Sequence, residues 1–302
     1  MVSGTMLVAD LLAPSGRENY PKAANLVELA LITSTKYYPN TVAYEAVTHN
    51  VRQARMFILH SQSREIPEEL VRYPQAVDIV EAIDGARSGI KVVEGLTTFD
   101  ENGQSQPEHV STIVQQGNSE GAHFAICFNA NLINVFEESN EEDDIHAFTG
   151  ALIIIATCHE AMRVVIRTVL AEISEEKGLK KGPADTRDAG YLLEDTLFGG
   201  RVSVIWNSSK TGKERISSIE ALILVQGKGD LAKIDVDDLR AFVRGIKQHR
   251  FPRFKFQSLE ALPGPSPPLA VGRRSAPTPT YGPPPTSLGP YAVSFIGPGC
   301  VC

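Results

Sequence analysis

The spacing of apolar and polar positions divides this chain into runs of two periods. Apolar residues at helical spacing mark residues 23–31 and 42–59. A further helical pattern follows Pro67 through "EELVRYPQAVDIVEAIDGARSG", interrupted at Pro74. "GIKVVEGLTTFDENGQ" reads as a strand and a turn. "AHFAICFNANLINVFEES", residues 122–139, opens as a strand, because β-branched and aromatic side chains crowd its first half. The run Glu141, Glu142, Asp143, Asp144 stands where the next helix begins, and carboxylates there are favoured by the positive end of the helix dipole. That helix, predicted over 144–176, is apolar nearly all round and stops at Gly178. A shorter helix is expected over "DAGYLLEDTLF", closed by Gly199 and Gly200. "RVSVIW" and "SSIEALILV" read as strands flanking a turn, "NSSKTGKE". A last helix over 235–251 carries Leu239, Phe242 and Ile246 on one face, with Asp235 placed to cap it.

Composition changes abruptly after Leu262. Residues 263–302 hold eleven of the nineteen prolines, two arginines and no acidic residue. Such a segment cannot bury enough apolar surface to fold, and is expected to be a disordered tail of polyproline character. The expected organisation is therefore one α+β domain over 1–262 and a Pro/Gly-rich tail over 263–302. Within the tail, "PTPTYGPPPTSLGP" suits an aromatic-lined groove on a protein partner. Its end, "GPGCVC", matches the Cys-X-Cys pattern that is prenylated at two cysteines, here Cys300 and Cys302. Gly299 is incompatible with a CaaX signal.

The balance of 29 basic against 36 acidic residues gives a net charge of -7, which argues against a nucleic-acid binder. Uninterrupted apolar runs stay well short of a bilayer's thickness, so no membrane span is expected. Four cysteines in this length make no disulfide framework. Cys127 and Cys158 read as reduced, buried small hydrophobes, and a cytoplasmic location is expected.

The chemistry concentrates in the long helix, "GALIIIATCHEAMRVVIRTVLAEI". Taking about 100° per residue and His159 as origin, Arg163 lies at about 40°, Arg167 at about 80° and Glu160 at about 100°. Four polar groups thus share one sector of an otherwise apolar helix. Facing solvent, Glu160 and Arg163 would be a weak surface pair. Buried, these charges must find partners.

"CHEAMR" followed by "RDAGYLLEDTLFGGRVSVIW" resembles a group of fungal (basidiomycete-type) zincin-like HExxH proteins. In these an HExxH helix is followed by a Gly- and acid-containing segment ending in Phe-Gly-Gly and a strand closed by Trp. The resemblance covers about residues 122–206. It implies a zincin-like central helix with a small sheet. By position, it makes His159 a zinc ligand, Glu160 the general base, and Asp188 or Glu194 the carboxylate ligand. One departure stands out: Arg163 occupies the place of the second His. A guanidinium has no lone pair for a metal, but its fork matches carboxylates. Arg163 is therefore expected to replace the cation, bridging Glu160 to the carboxylate from Asp188 or Glu194 without metal. His146 and His123 have no supporting spacing as rescue ligands.

Three functions follow. The leading expectation is a catalytically degenerate zinc-metallopeptidase-like protein, without cofactor, in a structural or interaction role. The alternatives are an active zinc metallopeptidase using His159, Glu160 and Asp188 or Glu194, and an unrelated α+β scaffold or binding protein whose His-Glu pair is chance.

Overall fold

A computed structural model describes residues 6–36, 84–85, 87, 89–99, 105–107, 110–116, 123–177, 189–207, 209–226, 230–248, 256, 259–262 and 292–295. The helical pattern at 42–59 and most of that after Pro67, all but 84–85, 87 and 89, lie outside these residues, as do Asp185, Asp188, Cys300 and Cys302.

The chain is mixed α and β, built from two main sheets around a long central helix. The first sheet holds β1 (Met6–Asp10), β2 (Ile90–Glu94), β5 (Ser111–Gln116) and β6 (His123–Asn129), in the order β1-β2-β6-β5. β2 and β6 run parallel and the two outer pairs are antiparallel. A small separate hairpin joins β3 (Thr97–Phe99) to β4 (Ser105–Pro107). The second sheet is antiparallel throughout. It holds β7 (Arg201–Trp206), β8 (Ile219–Gln226), β9 (Asp230–Ile234), β10 (Leu259–Ala261) and β11 (Ala292–Phe295), in the order β10-β9-β8-β7-β11. β11 lies inside the segment expected to be a disordered tail. It pairs with β7, placing Val293 opposite Ile205. The remainder of 263–302 lies outside the described residues.

The helices are α1 (Pro14–Asn19), α2 (Pro21–Lys36), α3 (Ala130–Glu138), α4 (Asp144–Lys177), α5 (Ala189–Phe198), α6 (Gly212–Ser217) and α7 (Val236–Lys247). Two of them begin where side-chain chemistry dictates. Asn129 ends β6 and its amide oxygen accepts the Asn131 N–H at 2.9 Å, which starts α3. Asp235 caps α7 in the same way, accepting the Asp237 N–H at 2.8 Å. α7 then stops at Lys247, with its apolar face, Leu239, Phe242, Val243 and Ile246, buried. The stretch read as a turn, "NSSKTGKE", contains the start of α6, because Thr211 has extended geometry and the Arg215 N–H returns to its carbonyl.

α4 is the spine. It packs against α2, α3, α5 and α7 and against β5, β6 and β8. Leu152, Ile153, Ile154, Ile155 and Ala156 are all fully buried, so this helix has no solvent face over more than a turn. Covering it on every side is what demands an all-round apolar sequence. By length and composition, Asp144–Val165 would serve as a membrane span; here residues 146–165 are buried by the chain's own elements, while Asp144 at its start is exposed.

Candidate functional site

Three of the four polar groups of the α4 sector lie inside the protein. His159 and Glu160 are fully buried and Arg163 is 8% exposed. Buried charges at this depth persist only with partners, and the structure supplies them from three other elements. Arg163 Nη1 donates to Glu160 Oε2 at 2.8 Å, one helical turn away. The second oxygen, Glu160 Oε1, accepts the Ser111 hydroxyl at 2.9 Å. Ser111 is itself buried, on β5, and comes from the first sheet.

His159 turns the other way, toward α5. Its Nδ1–H donates to Glu194 Oε1 at 2.5 Å, and Glu194 is also buried. The remaining oxygen, Glu194 Oε2, accepts the backbone N–H of Val202 at 2.7 Å, the second residue of β7. Gly190 lies against the imidazole so closely that a Cβ there would overlap the ring. Tyr191 meets the same ring edge-on, with centroids 5.1 Å apart. The Arg201 guanidinium stands 4.6 Å over the Tyr191 ring. One turn of α4 is thus tied to the first sheet through Ser111, to α5 through Glu194, and to the second sheet through Val202.

Of the residues singled out from the sequence, the structure brings together His159, Glu160, Arg163 and Glu194. Asp188 is outside the described residues, as are the side chains of Arg167 and His123. His146 is elsewhere: its Nδ1–H donates to the Ser139 hydroxyl at 2.9 Å, near the start of α4. Sequence reasoning missed Ser111, Gly190 and Tyr191. Ser111 carries no local signal, since it reaches Glu160 only through strand pairing. Gly190, inside the predicted helix, was the available clue, because a glycine there marks a close approach.

The described donors are engaged by protein groups. Arg163 holds the position of the second histidine, and both oxygens of Glu160 accept hydrogen bonds from protein groups. Among the described residues, no three His, Cys, Asp or Glu side chains come together in a way that could hold a metal ion. Neither buried cysteine is set up as a nucleophile. Burial pushes the Cys127 thiol up to about 11 and the Cys158 thiol up to about 12. Compared with protein-family models, curated proteins and solved structures, the chain matches none of them.

Proposed function

We propose that this chain is a catalytically degenerate, zincin-like protein with a structural or interaction role. In this reading Arg163 has taken over the electrostatic work of a metal. The observation that carries the proposal is the state of Glu160. A general base must offer an oxygen to water, but Glu160 is fully buried, with one oxygen on the Ser111 hydroxyl and the other on the Arg163 guanidinium. In this reading its carboxylate joins α4 to β5. Glu194 has the matching task on the other side, joining α4 to α5 and β7.

One feature favours the metallopeptidase as a second reading. With Nδ1–H given to Glu194, His159 holds the tautomer whose Nε2 is the acceptor. Metal-bound histidines are oriented by a carboxylate in this way. The two readings separate on one substitution. The full chain and Arg163→His are each incubated with excess zinc, freed of unbound metal and measured by mass spectrometry. The degenerate reading expects no zinc in the unsubstituted chain and about one zinc per chain in Arg163→His, since a His at that position restores the i,i+4 pair. About one zinc in the unsubstituted chain would overturn it in favour of the peptidase. Zinc in neither would remove the zincin-like reading altogether.

A further inference from the structure

At the first turn of α4, about 16–22 Å along the helix axis from His159, lies a cavity of about 580 Å³. It opens between the first turn of α4, the start of β8, the β9–α7 junction and β10. Its apolar lining comes from Ile145, Phe148, Ile219 and Leu259. Among the described residues its charged lining is mostly acidic: Asp144, Glu220, Asp235 and Glu260 against Lys233. Glu220, Asp235 and Glu260 are exposed. Lys233 lies directly across from Glu260 on the paired strands β9 and β10. Arg240 holds Asp144 and also donates to Asp237 at 2.6 Å, so α7 adds a further carboxylate beside the rim.

We propose that this groove docks a basic linear segment of a partner protein, one apolar side chain seated on the Phe148–Leu259 floor between flanking Arg or Lys residues. Charge complementarity selects the occupant. The four lining carboxylates come from α4, β8, the β9–α7 junction and β10, and among the described residues no three acidic side chains gather around one point to hold a single ion. Cations spaced along an extended chain can meet several while the apolar anchor fills the floor. The site is separate from the His159 network and does not depend on the reading given to it.

The test uses the full chain and a fluorescein-labelled peptide, Gly-Arg-Arg-Leu-Arg-Arg-Gly, read by fluorescence anisotropy. Replacing the peptide's Leu by Gly is expected to weaken binding about fivefold, the weight of one partly buried anchor. Glu220→Lys/Glu260→Lys is expected to weaken it at least about tenfold. Glu18→Lys/Glu94→Lys, on α1 and β2, makes the same change in net charge away from the groove and is expected to leave binding within about twofold. Circular dichroism and melting temperature establish that each variant is folded. Equal losses for the two charge pairs would reduce the effect to net charge and overturn the proposal. So would indifference to the Leu anchor, or absence of saturable binding by the unsubstituted chain. Spermine displacing the peptide at equal concentration would assign the groove to a small polycation, and a dimer dissolved by Glu220→Lys would assign it to a second copy; either also overturns it.

Discussion

Arg163 stands between two costs. Its burial beside Glu160 removes two charges from water, and the 2.8 Å bond, supported by Ser111, offsets that loss. Removing one partner leaves the other buried and uncompensated. Arg163→Ala is therefore expected to destabilise the fold by about 3–5 kcal/mol, measured by denaturant unfolding. Glu160→Met/Arg163→Met, which removes both charges, should cost less than Arg163→Ala alone. The reverse ranking would mean that the pair is not the stabilising unit. The i,i+3 spacing of Glu160 and Arg163 was legible from the sequence alone. Whether the pair faced water or protein was not, since a polar sector on a helix reads the same in both cases until its neighbours are known.

At the scale of elements, α7 offers a cleaner test of local chemistry. Its apolar face is set by Leu239, Phe242, Val243 and Ile246, and its start by the Asp235 cap. Asp235→Ala should cost about 1 kcal/mol by thermal or denaturant melting, because the Asp237 N–H loses its acceptor. Elements of this kind carry their own signals, and α4, α5, α7, β7 and β8 all stand where the hydrophobic spacing places them. β5, β9 and β10 carried no such signal in the sequence. Their residues become strands by pairing, β5 with β6, β9 with β8 and β10 with β9, partners they meet only after the chain has folded back.

At the scale of the whole molecule, three helices and a loop carbonyl meet around His146. Its ring stacks on Phe136 of α3 with centroids 4.5 Å apart. The Ser139 hydroxyl donates to the Phe136 carbonyl at 2.9 Å and accepts from His146 Nδ1–H. Lys247 of α7 donates to Nε2 at 3.3 Å and pairs with Glu141 at 2.6 Å. Lys22 of α2 donates to the Glu137 and Ser139 carbonyls. Burial first, and then the Lys247 charge, hold the His146 pKa below its usual value near 6.5. The unfolded chain thus binds the proton more readily than the folded one. His146 costs nothing above about pH 6.5, and stability falls as pH drops from there toward the lowered folded value. Unfolding free energy measured between pH 7.5 and 5.5 should decline for the native chain and flatten for His146→Phe. Equal slopes would show that other groups carry the dependence.

The sequence by itself determined the mixed α and β composition, the extent of the central helix, the cap of α7 and the crowding of His159, Glu160 and Arg163 onto one sector. These depend on spacings of a few residues, where backbone geometry alone fixes which side chains are neighbours. Only the tertiary structure decided that the sector is buried, that Glu194 reaches His159 and that Ser111 closes on Glu160. Those partners lie 35 and 49 residues away along the chain. Pairings that distant are chosen by how sheets and helices pack around α4, and no local pattern encodes them.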